Sequence, residues 1–175
     1  MIDAALLHCA ADIAPQTTAA IIQVESRGDM LAINVNGGRL PRAPSDAADA
    51  AKLARQMIAK GYSVDLGLMQ VNSRNLGWLG YTVEEMFEPC KNIRAGAEVL
   101  RRAYYQAIRT HGEGQPALRV ALSLYNTGDM QRGFRNGYVA RYFTTAPAMP
   151  TVRAAPAPPN PYTAGTTIVF SRRSP

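Results

Sequence analysis

The sequence predicts a mainly α-helical domain of the α+β kind, with a small irregular or β-like insertion and a disordered C-terminal tail. Apolar residues recur at helical spacing through most of residues 1–143, and only one short segment alternates as a strand does. Residues 144–175 hold seven of the twelve prolines. A length of 175 residues with 47% hydrophobic residues suits one domain with a tail and excludes wholesale disorder.

The residues after Met1 are alanine-rich, and we expect them to form a folded helix. Asp3 stands where a signal peptide carries positive charge, and no small-residue cleavage site follows a strongly apolar run. Any export signal is therefore expected to have been removed or to lie outside this sequence. No stretch approaches the roughly 20 apolar residues that cross a bilayer, which argues against an integral membrane protein.

Two helices are predicted next. Pro15 opens the first, because proline suits a first helical turn, and apolar residues continue it towards Glu25. Ser45 precedes the second, an alanine-rich segment with acidic residues in its first turn, Lys60 in its last turn and Gly61 at its end.

The β-like insertion is predicted between these two helices. Residues 31–38 alternate between apolar and polar side chains, and Asn36 followed by Gly37 is typical of a tight turn.

Two further helices are predicted in the second half of the domain. Apolar residues at helical spacing run through residues 93–108 and end near His111 and Gly112. Pro116 begins the last helix and Gly128 follows its end. No internal repeat of 20–50 residues is present.

The tail, residues 144–175, has no acidic residue and three arginines. Residues 155–161 (APAPPNP) predict an extended, polyproline-like linker, because proline lacks a backbone donor and fixes φ. Residues 166–170 (TTIVF) have strand propensity and are either a disordered end or a strand that pairs with a partner's sheet edge. The net charge of +6 admits an anionic polymer, nucleic acid or an anionic membrane as partner.

Glu25 is the candidate catalytic residue. It lies at the C-terminal end of a predicted helix, where the helix dipole disfavours a negative charge, and at the edge of an apolar stripe. Both effects raise the pKa of its carboxyl group above about 4.3, so that it can deliver a proton to a leaving oxygen. Ser26 could orient this carboxyl group. The alternative is a solvated glutamate at a frayed helix end.

Amide and phenol side chains follow at three further places. Gln70 and Asn72 lie in a short, broken segment (GLMQVN), and amides suit a substrate rich in hydroxyl and acetamido groups. Tyr125 and Asn126 end the last helix, and Tyr138 begins a short segment near the end of the domain. The alternatives are a turn closed by asparagine and a tyrosine packed in the core.

Five short motifs occur in a fixed order: VES (residues 24–26), GLMQVN (67–72), AGAEVL (95–100), LYNTG (124–128) and GYV (137–139). This series resembles the lysozyme-like lytic transglycosylases of bacterial cell walls, and most closely the branch encoded with type IV secretion and conjugation machineries. The resemblance covers nearly all of residues 1–143 and none of the tail. It implies a goose-lysozyme-like helical fold with a sugar-binding groove.

The resemblance also implies residue roles. Glu25 is expected to be the single general acid and base, cleaving the β-1,4 bond between N-acetylmuramic acid and N-acetylglucosamine without water. The product is a 1,6-anhydro sugar, and the cleavage opens the wall locally for assembly of a secretion apparatus. The residues expected to bind peptidoglycan glycan strands are Ser26, Gln70, Asn72, Tyr125, Asn126 and Tyr138.

Two other functions stay open. A hydrolytic muramidase needs a second acid, and Asp29 or Asp65 could activate its water. A glycan-binding assembly factor would not need an acid at the position of Glu25. Nucleic-acid binding is not expected, because Arg101, Arg102 and Arg109 lie along one helix but are interspersed with acidic residues elsewhere.

The two cysteines bear on the compartment. From the residues alone, Cys9 and Cys90 are either one disulfide or two buried thiols. The resemblance to a periplasmic family favours the disulfide and a periplasmic location. Neither a metal nor a cofactor is expected, since His8, His111 and the cysteines show no ligand spacing. We expect a monomer whose tail, residues 144–175, is available to bind secretion-system components.

Overall fold

The computed structural model describes residues 3–144, which form a mainly helical domain with one small sheet. The elements of that range are α1 (Ala4–Leu7), α2 (Pro15–Glu25), β1 (Ile33–Asn36), α3 (Ala47–Ala59), β2 (Ser63–Leu66), β3 (Val71–Asn72), α4 (Leu76–Leu79), α5 (Pro89–His111), α6 (Gln115–Thr127), α7 (Arg132–Arg135) and α8 (Arg141–Thr144). Short 3-10 turns occur at His8–Ala10, Ser73–Asn75 and Glu84–Phe87. The predicted fold class is confirmed, and the predicted tail lies outside the described residues apart from Thr144.

Helix α2 carries Glu25 as its last residue. Pro15 occupies its first turn as predicted, and Ile21 and Ile22 are fully buried in the core. The NH group of Ser26 donates to the carbonyl of Ile22 and closes the helix. Burial of the isoleucines therefore fixes where the end of the helix, and with it Glu25, lies against the domain.

The N-cap of helix α3 lies one residue later than the predicted cap, Ser45. Asp46 is the N-cap, and its carboxylate accepts a hydrogen bond from the Asp49 NH at 2.8 Å. The Ser45 hydroxyl instead contacts the Asp49 carboxylate at 3.3 Å. Asp46 suits the N-cap position because its charged carboxylate accepts strongly from the NH groups at the start of the helix.

The sheet is antiparallel, in the order β1-β2-β3. Val35 on β1 and Val64 and Leu66 on β2 are buried, while the side chains between them point to the other face. Strand β1 lies within the segment predicted to alternate. Strands β2 and β3 were not predicted, since four and two residues are too few for a periodic pattern.

Residues 67–70 connect β2 to β3, and we call them the inner loop. Gly67 has a φ of +69°, and a Cβ there would lie 2.4 Å from the Met86 carbonyl oxygen. Gly96 on α5 lets this helix approach the loop, since a Cβ there would lie 2.7 Å from the Cβ of Met69. Both glycines are thus required by close packing of the inner loop on the helices.

The long helix α5 packs along α6 and forms the centre of the domain. A disulfide joins Cys9, in the turn after α1, to Cys90 in the first turn of α5, with their Cα atoms 5.3 Å apart. The bridge ties the N-terminal segment to the central helix. None of the helices in residues 3–144 is long and apolar enough to cross a membrane.

Candidate active site

A groove of about 1120 Å³ crosses the domain between the small sheet and the C-terminal ends of α2 and α6. Its walls include both polar amides from the sheet region and aromatic side chains from the helices. Six of the seven predicted substrate and catalytic residues line it: Glu25, Gln70, Asn72, Tyr125, Asn126 and Tyr138.

Glu25 has an acid–base character that differs from that of a surface glutamate. Burial of its carboxyl group, followed by the negative charge of Asp65, raises its pKa from 4.5 to about 7. A hydrogen bond from Tyr138 and the positive charge of Arg141 oppose the rise. The carboxyl group is therefore poised to give and take a proton near neutral pH.

Tyr138 is the direct partner of Glu25. Its hydroxyl donates to Oε1 of Glu25 and lies 2.6 Å from the hydroxyl of Tyr142. The two rings meet edge to face, with centroids 5.3 Å apart. Burial and the charge of Glu25 raise the pKa of both phenols well above 10, so both remain protonated donors. Tyr142 was not among the predicted site residues.

Tyr125 and Ser26 both bind the backbone of the inner loop. The Tyr125 hydroxyl donates to the Met69 carbonyl at 2.5 Å, and the Ser26 hydroxyl donates to the Leu68 carbonyl at 2.8 Å. The bonds found for the Ser26 hydroxyl thus join it to main-chain atoms. Ser26 lines an adjoining cavity of about 670 Å³ that shares Glu25 with the groove. Both side chains set the position of the loop.

Gln70 ends the inner loop in a left-handed conformation, with a φ of +47°. Its side-chain amide donates to the Gly67 carbonyl at 2.9 Å and to the Ala32 carbonyl at 3.2 Å. These two bonds stabilise a backbone conformation that costs roughly 1 kcal/mol or more for a non-glycine residue. Gln70 lies where the groove and the adjoining cavity meet, beside Glu25.

Asn92 holds the inner loop from below, and the sequence did not indicate it. The side chain is 1% exposed, and its amide donates to the carbonyls of Leu66 and Met86 at 2.8 and 2.9 Å. Its oxygen accepts from the Met69 NH at 2.8 Å. A polar residue on the buried face of a long amphipathic helix is the feature by which it could have been found.

Asn72 belongs to a network of amides around Asp65. The amides of Asn34, Asn36 and Asn72 donate to the Asp65 carboxylate at 3.2, 2.9 and 2.6 Å. Asn72 also donates to the Ser63 hydroxyl at 2.7 Å. Asn34 and Asn36 were not predicted site residues, although they occupy alternate positions of the strand that was predicted.

Asp29, the other acid that could activate a water molecule, lies outside the groove. It lines the adjoining cavity, and its carboxylate accepts from the Leu31 NH at 2.8 Å.

Asn126 supports the segment that carries Tyr138. Its oxygen accepts from the Asn136 amide at 3.1 Å, and the oxygen of Asn136 accepts from the Tyr138 NH at 3.0 Å. The end of α6 is thereby connected to the partner of Glu25.

Basic and aromatic side chains extend the groove beyond the acids. Arg102 stacks on the Trp78 ring, 4.8 Å from its centroid, and the indole remains 43% exposed. Arg74 and Arg141 also line the groove. Among residues 3–144, no three histidine, cysteine or acidic side chains lie together in the way that a metal site requires.

Comparisons with known proteins identify the family and the relatives of this chain. The family model of the transglycosylase SLT domain matches residues 6–142. The chain is 44% identical over 129 residues to the type IV secretion system protein virB1 of Brucella abortus, which covers 73% of the chain and 54% of that protein. It is 39% identical over 150 residues to protein virB1 of Agrobacterium fabrum, covering 85% of the chain and 61% of that protein.

The chain thus spans little more than half the length of the curated relatives that it matches. No solved structure gives a significant match. The family model covers most of the chain and every residue of the groove described above. The chain therefore belongs to the transglycosylase SLT domain family.

Proposed function

We propose that this protein is a peptidoglycan lytic transglycosylase that uses Glu25 as its only general acid and base. The observation that carries the proposal is a partly buried carboxyl group, with a pKa of about 7, at the wall of an open groove. Such a group holds a proton at neutral pH and still has access to a polymer that lies in the groove.

The reaction proceeds in two proton transfers. The Glu25 carboxyl group gives its proton to the oxygen of the β-1,4 bond between N-acetylmuramic acid and N-acetylglucosamine, and the bond from C1 to that oxygen breaks. The substrate's acetamido group relieves the positive charge on C1. The Glu25 carboxylate then takes the proton of the muramyl 6-hydroxyl, whose oxygen bonds to C1. The product is a 1,6-anhydro sugar, and Glu25 regains its proton.

The remaining groove residues bind and orient the glycan strand. The Tyr138 hydroxyl holds the Glu25 carboxyl group in one orientation. Gln70, Asn72 and Asn126 line the groove, and amides suit a substrate rich in hydroxyl and acetamido groups. Arginines along the groove suit the anionic character of the wall polymer.

We further propose a periplasmic site of action, in which the enzyme opens the wall locally for a type IV secretion or conjugation apparatus. The relatives' designation as type IV secretion proteins and the Cys9–Cys90 disulfide, which suits an oxidising compartment, support this role. The tail is proposed to bind a secretion-system component. Removing residues 145–175, which leaves α8 intact, should retain wall cleavage and abolish secretion or conjugation; loss of cleavage would contradict a recruiting role.

The test of the chemistry is mass analysis of the muropeptides released from purified peptidoglycan. The wild-type protein should release 1,6-anhydromuropeptides, and Glu25→Gln should lower the rate at least ~10²-fold. Glu113→Gln, the same change at an exposed loop position, should leave the rate unchanged. Cleavage that persists in Glu25→Gln would refute the assignment.

A hydrolytic muramidase is the second candidate, and the presence of Asp65 in the same groove favours it. Products that end in reducing muramic acid would identify hydrolysis. No cleavage by any form would favour the glycan-binding assembly factor.

A further inference from the structure

Asp65 lies at the centre of the sheet with its side chain on the groove side. Its neighbours on β2, Val64 and Leu66, point into the core and are fully buried. The Asp65 carboxylate therefore faces the groove, on the sheet side, in the same groove as Glu25.

The Asp65 carboxylate is surrounded by hydrogen-bond donors. Asn34 and Asn36 reach it from β1, and Asn72 reaches it from β3. All three groups bind through their NH2 ends, so that both carboxylate oxygens act as acceptors. Strand β1 thus contributes two amides, β2 the carboxylate and β3 one amide to a single cluster that holds an anion. Pairing of the strands does not require this cluster.

The environments of the two acids in the groove are opposite. Glu25 is partly buried beside two phenols, whereas Asp65 lies among amides. The negative charge of Asp65 acts on Glu25 across the groove and favours its protonated form. Pairs of carboxyl groups whose environments differ in this way divide the acid role and the anion role between them.

We propose that Asp65 is a second functional carboxylate of this site, whose fixed negative charge faces Glu25 in the groove and stabilises the positive charge that develops on the muramic sugar. The inference rests on the proposed function. Asp65 forms no bond to the sugar and exchanges no proton, so the atom balance of the two steps is unchanged. Its contribution is a fixed negative charge, held in place by amides before the substrate arrives.

This role predicts a specific change in the pH dependence of kcat/KM. Glu25 must be protonated to start the reaction, so activity falls as pH rises through its pKa. Removing the charge of Asp65 lowers that pKa, and the alkaline limb of the profile moves to lower pH. The charged and titratable groups that face Glu25 are Asp65 on β2, Tyr125 on α6, Tyr138, and Arg141 and Tyr142 on α8.

The test compares Asp65→Asn with wild type in release of 1,6-anhydromuropeptides across pH 5 to 9. We expect kcat/KM to fall ~10²-fold, with an unchanged product and the alkaline limb at lower pH. Asp12→Asn, which removes one charge outside the groove, is the matched control and should alter neither quantity. An unchanged rate and limb in folded Asp65→Asn would overturn the inference while leaving the Glu25 assignment intact. Activity in Glu25→Gln would instead overturn the proposed function.

Asn36→Ala distinguishes the effect of the Asp65 charge from the effect of the hydrogen bonds that connect the strands. It remains informative if Asp65→Asn does not fold. It removes one amide and leaves the carboxylate in place. We expect a smaller loss of kcat/KM than in Asp65→Asn and an unmoved alkaline limb. If Asn36→Ala were as inactive as Glu25→Gln while keeping the wild-type circular dichroism spectrum, the amides and not the charge of Asp65 would be the functional feature.

Discussion

Glu25 has its unusual pKa because its carboxyl group is withdrawn from water without a cation to compensate it fully. Burial outweighs both the Tyr138 hydrogen bond and the charge of Arg141. The position at a helix end indicated the direction of this shift from the sequence. The burial and the opposing groups became visible only in the fold, since residues from the other end of the domain provide them.

The raised pKa makes Glu25 a source of instability above pH 4.5. The folded state holds the proton up to about pH 7, whereas the unfolded chain releases it near 4.5. Stability therefore falls as pH rises through this window, by up to ~3 kcal/mol. Glu25→Gln should be more stable than wild type at pH 8 and not at pH 4.5, as measured by urea unfolding at both pH values. An equal difference at the two pH values would contradict this assignment.

Tyr138→Phe tests the phenol that contacts Glu25. The Tyr138 hydrogen bond favours the ionised carboxylate, so its removal raises the pKa of Glu25 above 7. The alkaline limb of kcat/KM should move to higher pH, while kcat falls because the carboxyl group loses its orientation. Tyr105→Phe, on the exposed face of α5, is the control and should leave both unchanged. A limb that stayed in place would show that the bond is not made in solution.

The inner loop depends on three helices. Ser26 follows α2, Asn92 lies on α5 and Tyr125 on α6, and each binds a backbone atom of residues 68–69. The loop carries Gln70 into the groove beside Glu25. Its conformation is therefore set by tertiary contacts and not by its own short sequence.

Asn92→Ala measures how much this anchoring contributes. The change leaves two buried carbonyls and one buried NH without their partner, which should cost about 2–4 kcal/mol of unfolding free energy. Peptidoglycan cleavage should fall as well, because the inner loop that carries Gln70 into the groove loses one of its anchors. Gln56→Ala, an exposed amide on α3, should change stability by less than ~0.5 kcal/mol. Urea unfolding of the two variants measures both changes in unfolding free energy. A loss in Asn92→Ala no larger than in Gln56→Ala would contradict the anchoring role of Asn92.

The longer helices α2, α3, α5 and α6 and the strand β1 could be predicted from local pattern, whereas the short helices α4, α7 and α8 and the connections between elements could not. Pro15, the spacing of apolar residues and terminal glycines indicate helices within the chain segment itself. The Asp65 network joins residues 31 and 29 positions apart, and Tyr138 contacts Glu25 across 113 positions. Such contacts leave no periodic trace in a single sequence. The ordered motifs located Gln70, Asn72 and Tyr138, but not Asn34, Asn36 or Asn92.

On the scale of the whole domain, the Cys9–Cys90 disulfide lies outside the groove. Cys9 borders a different cavity from the groove, and the bridge closes a separation of 81 residues. Replacing both cysteines by serine should lower stability by up to roughly 4–5 kcal/mol. Below the melting temperature of that variant, the rate and products of wall cleavage should be those of wild type. Altered products would show that the bridge shapes the site itself.

The anchoring of the inner loop through its main chain has a consequence for redesign of the site. Carbonyl and NH groups are present whatever side chains residues 68 and 69 carry, so these two positions can be varied for core packing alone. Ser26, Asn92 and Tyr125 have no such freedom, because each contributes the side-chain half of a bond. Transplanting Glu25 and its loop onto another helical scaffold would therefore require moving the three anchors as a set, together with Gly67 and Gln70, while residues 68 and 69 could be chosen anew.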